Sequence, residues 1–130
     1  MRTVSIGRIA LVMLALVALT SCSLVSPGNA GRPDIRGTVT QITPALAQSG
    51  ETNIIGTILI EGAKETDTQF DRAMVTATDK TVVLEQIGEP RRPAKFENIR
   101  VGDRVEAQFT GPVRESYPVQ ATASAITILR

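Results

Sequence analysis

Short segments in which apolar and polar residues alternate recur from residue 35 to the end of this 130-residue sequence. The clearest one covers residues 104–110, where Val105, Ala107 and Phe109 share one face and the intervening side chains are charged or amide. Successive side chains of a β-strand point to opposite faces, so this alternation is typical of a half-buried strand. Apolar residues at the spacing of a helix are almost absent from this part of the sequence. The sequence therefore predicts an all-β domain.

Five or six short strands are predicted, at residues 35–42, 53–61, 72–78, 81–86, 104–110 and 121–129. Residues 53–61 are apolar on both faces, which indicates a central strand. Gly37 predicts a bend or bulge in the first strand. In the last strand the apolar set changes phase, which predicts a bulge near Ser124 and Ala125. The polar pair Asp79 and Lys80 predicts a hairpin between the third and fourth strands.

The remaining segments are predicted from their glycine and proline residues. Residues 86–95 are predicted to be a loop, Gly102 and Asp103 a turn, and Gly111 and Pro112 a break after the fifth strand. Residues 96–99 are expected to form one helical turn that places Phe96 and Ile99 in the core.

A sheet of a few short strands leaves exposed edges unless it closes on itself. The need to avoid such edges, the bent first strand and the near absence of helix together favour a small closed barrel of the OB type. A small two-sheet β-sandwich is the alternative.

The N-terminal residues resemble the signal of a bacterial lipoprotein. Arg2 and Arg8 are followed by an apolar run at residues 9–19, which is shorter than the roughly twenty residues that a membrane-spanning helix needs. The run ends in Leu-Thr-Ser-Cys at residues 19–22, which resembles a lipobox. We expect a signal peptide at residues 1–21, a flexible tether at 22–33 and a β-barrel domain at 34–130.

Cys22 is the only cysteine, and it supplies the thiol that lipidation requires. The two or three acyl chains of a lipoprotein, palmitate among them, hold a protein stably at a membrane. The expected location is therefore extracytoplasmic. It is the outer face of the plasma membrane, or the outer membrane where the cell has one.

The amino-acid composition excludes several kinds of binding and catalysis for the mature chain. Residues 1–21 contain two of the 14 basic and none of the 13 acidic residues, so the mature chain is nearly neutral and nucleic acid is not an expected partner. The absence of histidine removes Ser-His and Cys-His catalysis and ordinary zinc sites. Aromatic residues, which a glycosidase site would use for its sugar, are few. We expect no catalytic residue, no metal, no cofactor and a monomeric domain.

Two clusters of charged residues are more simply explained as solvated surface charge than as ligand sites. Glu65, Asp67 and Asp71 carry calcium-type oxygens but lack the glycine spacing of a calcium loop, so a solvated acidic loop is expected. Arg91 and Arg92 could contact anionic lipid or cell-wall phosphate, but a role in solubility is the favoured explanation.

The most distinctive segment is Glu-Ser-Tyr-Pro-Val-Gln at residues 115–120. Glu115, Ser116, Tyr117 and Gln120 place a carboxylate, a hydroxyl, a phenol and an amide in one loop, which is a candidate ligand-binding loop. The structural alternative, which we favour, has Tyr117 packed on the end of the barrel with its hydroxyl hydrogen-bonded.

Together with residues 34–39 and 56–62, the segment 111–121 resembles the YobA-like family of uncharacterised small bacterial secreted or lipid-anchored proteins. The resemblance implies a compact β domain outside the cytoplasm and assigns no activity to any residue. We expect a binding or accessory module at the cell envelope, with an envelope protein or a cell-wall component as its partner. A structural or assembly lipoprotein is the alternative, and an unrecognised enzyme is the least favoured class.

Overall fold

The computed structural model describes residues 32–46, 53–88 and 90–130. The described residues form seven β-strands and one turn of 3-10 helix. The strands are β1 (Ile35–Pro44), β2 (Ile54–Glu61), β3 (Arg72–Thr78), β4 (Val82–Gln86), β5 (Arg91–Pro93), β6 (Arg104–Arg114) and β7 (Val119–Leu129). The 3-10 turn is Phe96–Asn98, between β5 and β6.

Five strands close into a barrel in the order β1, β2, β3, β7 and β6, with β6 returning to β1. Four of the five pairings are antiparallel, and β3 with β7 is parallel. The predicted OB-like closed barrel is confirmed. The sandwich alternative is wrong, because the β3–β7 pairing leaves no second sheet. The predicted central position of β2, between β1 and β3, is also confirmed.

The predicted hairpin between β3 and β4 is wrong. Both strands run parallel to β7, β3 along Val119–Thr122 and β4 beyond it from Ala125. The chain therefore continues in one direction through a turn rather than reversing. The Thr81 hydroxyl stabilises this turn, because its Oγ1 accepts the Thr78 N–H at 2.8 Å and donates to the carbonyl of Ala123 at 2.8 Å.

Three other boundaries differ from the predicted ones. The expected loop at residues 86–95 contains the short strand β5, which pairs with β4. Gly111 and Pro112 do not end β6, which reaches Arg114, and β7 begins at Val119 rather than at residue 121. In each case backbone pairing with a neighbouring strand forms or extends a strand where the apolar pattern does not indicate one.

The interior is filled mainly by β-branched side chains, and phenylalanines close both ends. Phe96 and Ile99 are buried in the core at one end, as predicted from the helical turn. At the other end Phe70 packs against Phe109 with ring centroids 5.7 Å apart. The largest fully buried side chains are Ile35, Val39, Ile58, Ile60, Val75, Val105, Ile126 and Ile128.

The predicted bulge in β7 is confirmed, because Gln108 pairs with Ala125 and Phe109 with Ala123, which leaves Ser124 as the extra residue. In β1 the register shifts between Val39 and Gln41 rather than at Gly37.

Gly37 serves a different purpose, which is the close approach of two backbone segments. A Cβ atom on Gly37 would lie 2.5 Å from the carbonyl oxygen of Glu61 and 2.9 Å from the nitrogen of Gly62. The chain leaving β2 can therefore pass over β1 only because this side chain is absent.

An ion-pair network fastens the loop between β2 and β3 to the outside of the barrel. The Arg36 guanidinium, on β1, donates to Glu65 at 2.7 Å, to Asp67 at 2.8 Å and to Glu106 at 3.1 Å. The Arg36 side chain is 18 % exposed and that of Glu106 is 12 % exposed. Hydrogen bonds to Asp67 are the main reason that the Arg36 pKa is raised further above its usual range, and the same bonds lower the pKa of Asp67.

We predict that Gly37→Ala lowers the free energy of unfolding by about 1–3 kcal/mol, because the added methyl group meets backbone that cannot rotate away. Denaturant midpoints measure the effect. Thr38→Ala, at the exposed neighbouring position, is the control and should stay within about 0.5 kcal/mol of the parent. Equal midpoints for Gly37→Ala and the parent would contradict the close approach.

We also predict a pH signature for Asp67. Its folded pKa lies below the ordinary 3.8, so its ionised form stabilises the fold above that pH, and this contribution is lost as the pH falls through the folded pKa. Asp67→Asn should be less stable than the parent at pH 7, and the difference should shrink below pH 3.8. Chemical denaturation across this range measures it, with Glu115→Gln as the control. A difference that does not change with pH would count against the pairing.

Candidate functional site

The hairpin of β6 and β7 carries a wide bulge on the outside of the barrel. Thr110 pairs with Thr122 and Arg114 with Gln120, so the three residues after Thr110 lie opposite one residue of β7. Gly111 begins this bulge with φ of 73°, a left-handed conformation that glycine adopts without strain. The Gly-Pro pair therefore produces a raised edge within the strand rather than its end.

This raised edge forms one wall of an open groove of about 520 Å³. Its floor comes from the outward-facing residues of β3 and β7, since the alternate residues of these strands fill the barrel. A volume of this size lies within the usual range for small-molecule sites. The groove is lined by Thr76, Pro112, Val113, Arg114, Gln120, Ala121 and Thr122.

The groove floor belongs to a row of threonines that crosses the five barrel strands. Each threonine is the register partner of the next, and the order from β1 to β6 is Thr43, Thr57, Thr76, Thr122 and Thr110. Neighbouring strands lie about 4.8 Å apart, so the row presents hydroxyl groups at that regular spacing. Each hydroxyl can both donate and accept a hydrogen bond.

The polar side chains of the groove have no partner within the described ranges. Arg114, Gln120, Thr76 and Thr122 form no side-chain hydrogen bond or ion pair there. Five other arginines of the described residues do form such contacts. Arg36, Arg72, Arg91, Arg104 and Arg130 each pair with a carboxylate. The groove therefore combines one available guanidinium with neutral hydroxyl and amide groups.

The predicted loop at residues 115–120 lies beside this groove and shares one residue with it. Gln120 lines the groove, whereas Ser116 donates its hydroxyl hydrogen bond to the Pro118 carbonyl at 2.7 Å. Glu115 is exposed. The loop thus supplies one groove residue and the connection between the two strands that form the hairpin wall.

The expected packing of Tyr117 on the barrel end is wrong, because the residue is 69 % exposed. Its hydroxyl donates to Asp71 at 3.3 Å, and the guanidinium of Arg72 lies 5.7 Å from the ring centroid. Phenylalanines already fill the barrel ends, so Tyr117 is left on the surface against the start of β3.

Three of the five charged residues considered from sequence form ion pairs. Glu65 and Asp67 form ion pairs with Arg36, and Asp71 accepts a hydrogen bond from the Tyr117 hydroxyl. Arg91 binds Glu106 at 3.0 Å. Arg92, by contrast, extends from β5 as an exposed side chain.

A second cavity, of about 220 Å³, lies at the barrel end that Phe96 closes. Its other apolar side chains include Ile55, Val83 and Ala94. Thr81 also borders it, but that hydroxyl is already bonded to the backbone. The larger groove is therefore the better candidate site, because its polar groups remain available to a ligand.

Sequence reasoning missed Arg114, Thr76 and Thr122. The only signals for them were the Gly-Pro pair that raises the hairpin wall and the outward threonine in each strand. Neither signal identifies a groove until the strand register is known.

Residues 54–130 match DUF3221, described as a protein of unknown function, and the chain belongs to this family. No curated protein and no solved structure gives a significant match. Cys22 and the signal and tether predicted around it lie outside the described ranges, apart from the last two tether residues. Within those ranges no helix is long and apolar enough to cross a membrane.

We predict that Tyr117→Ala changes the free energy of unfolding by less than about 1 kcal/mol, since an exposed cation–π contact contributes only about 0.5–1 kcal/mol. Tyr117→Phe should be closer still to the parent, because the Arg72 contact survives. Denaturant midpoints of the parent and the two variants measure both effects. A loss above about 2 kcal/mol for Tyr117→Ala would instead mean that the ring is buried in solution.

Proposed function

We propose that this protein is a lipid-anchored binding or accessory module on the extracytoplasmic side of the cell envelope, and that the groove over β3 and β7 is its binding surface. The lipobox-like residues 19–22, after a basic and apolar N-terminal segment, support lipid attachment at Cys22. Within DUF3221 we place the chain among the YobA-like proteins, on the segments around residues 34–39, 56–62 and 111–121.

The observation that supports binding is the set of unengaged polar groups in the groove. Unpaired guanidinium and amide groups beside half-buried threonine hydroxyls can hold a polar ligand without first breaking bonds within the protein. OB-type barrels use their outer β2–β3 face and adjoining loops to bind oligomeric ligands, and part of the groove lies on β3. An assembly lipoprotein would instead be expected to present a broad apolar patch.

We predict that Cys22→Ala abolishes acyl labelling and either releases the protein from the membrane fraction or leaves it unprocessed. Cys22 alone can supply the acceptor sulfur, because the sequence has no other cysteine. Metabolic labelling with a fatty-acid analogue, followed by fractionation, measures both effects. Ser23→Ala is the control and should be labelled and retained normally. Acyl labelling that persists in Cys22→Ala would refute lipid attachment at this residue.

We further predict that Thr122→Trp, which fills the groove, weakens binding of the detergent-solubilised lipoprotein to solvent-extracted envelope material by about tenfold or more. The matched control is Val82→Trp, at an exposed position of β4. Thermal melting verifies that both variants fold. Equal co-sedimentation of the parent and Thr122→Trp would show that the groove is not the binding surface.

A further inference from the structure

We propose that the groove binds a linear glycan with carboxylate groups spaced along its chain, and that Arg114 selects for the carboxylate. This inference rests on the proposed function, because it names the ligand class of the same groove. The groove combines one cationic side chain, that of Arg114, with several neutral hydrogen-bonding groups, and this combination indicates the ligand class.

The neutral part of the site matches a sugar backbone. Thr76 and Thr122 are register partners on neighbouring strands, and both line the groove at strand spacing. Gln120 adds an amide that both donates and accepts. Sugar hydroxyl and acetamido groups need this mixture of donors and acceptors, whereas a purely apolar ligand would leave these groups unsatisfied.

The single cation indicates one acidic group at a time. Arg114 lies on the hairpin wall and has no carboxylate partner among the described residues. A guanidinium binds a carboxylate through two parallel hydrogen bonds, so its position fixes where that group must lie. Polyphosphate chains and single-stranded nucleic acids are bound by several basic side chains together, and one arginine does not provide such a surface.

The sequence has few aromatic residues, and the fold leaves one of them exposed near the groove. Phe70, Phe96 and Phe109 pack against or within the core, which leaves Tyr117 as the exposed aromatic side chain of the described residues. Tyr117 lies in the turn between Arg114 and Gln120, beside the groove. Its exposed ring can pack on the apolar face of a sugar while its hydroxyl keeps the hydrogen bond to Asp71.

The test compares two glycans that share one backbone. Denuded peptidoglycan glycan strands carry a lactyl carboxylate on alternate sugars, and oligomers of β-1,4-linked N-acetylglucosamine lack it. We expect the purified full-length lipoprotein in detergent to bind the acidic strands at least about tenfold more tightly than the neutral oligomers, by isothermal titration calorimetry.

Arg114→Gln should weaken binding of the acidic strands by about tenfold and leave the affinity for the neutral oligomers unchanged. Arg114→Lys should recover part of the loss, because it keeps the charge but not the paired geometry. Arg92→Gln is the matched control, since it removes the same charge from an exposed position on β5. Thr76→Val with Thr122→Val should weaken both glycans equally.

Equal affinity of the parent for the two glycans, or equal losses for Arg114→Gln and Arg92→Gln, would overturn the inference. So would tighter binding of poly(glycerol phosphate) or of a single-stranded thymidine oligomer than of the acidic strands. If no glycan binds but Thr122→Trp still blocks envelope binding, the ligand class is wrong and the proposed function stands. If Thr122→Trp also has no effect, the proposed function fails as well.

Discussion

Closure of the barrel depends on the parallel pairing of β3 with β7 over four residues, from Ala73 with Val119 to Thr76 with Thr122. Without it the sheet would have two open edges, which a chain of this size would expose to other molecules. The same pairing brings Thr76 beside Thr122 and thereby forms the groove floor. The fold and the candidate site therefore depend on one short stretch of backbone hydrogen bonds between segments that are distant in sequence.

Polar contacts outside the barrel complement the apolar interior. The Arg36 guanidinium holds Glu65 and Asp67 of the β2–β3 loop against the strands while it also contacts Glu106. Glu106 in turn accepts a hydrogen bond from Arg91 of β5. Because the Arg36 and Glu106 side chains are mostly shielded from water, removing one partner would leave the other poorly solvated. The network thus holds residues 65–67 of the loop and the outer strand β5 against the barrel.

The groove gathers a guanidinium, an amide and two hydroxyls that form no side-chain bond within the described residues. Elsewhere in the described domain, Arg36, Arg72 and Arg130 pair with acidic side chains. Arg114 is left available beside Gln120, on a bulge that exists because Gly111 adopts a left-handed conformation. Packing does not account for that arrangement, and this is the reason that we propose the groove as a binding surface.

The sequence by itself determined the β class, most strand positions and the bulge at Ser124, because these follow from the alternation of side chains along each strand. Strand partners were not contained in that local pattern. The local pattern therefore predicts a hairpin at residues 72–86, although β3 and β4 both run parallel to β7. The ion-pair role of Asp67 and the exposure of Tyr117 likewise depend on neighbours that are remote in the chain.

The candidate site likewise depends partly on the local sequence pattern and partly on long-range strand pairing. Alternation predicts that Thr57, Thr76 and Thr122 face outward, but only the register of two separate pairings places them in one row. The Gly-Pro pair after Thr110 marks a departure from regular strand geometry, and the tertiary structure decides that it becomes a groove wall rather than a strand end. Local residue preferences fix which side chains leave the core, whereas long-range backbone pairing decides which of them meet.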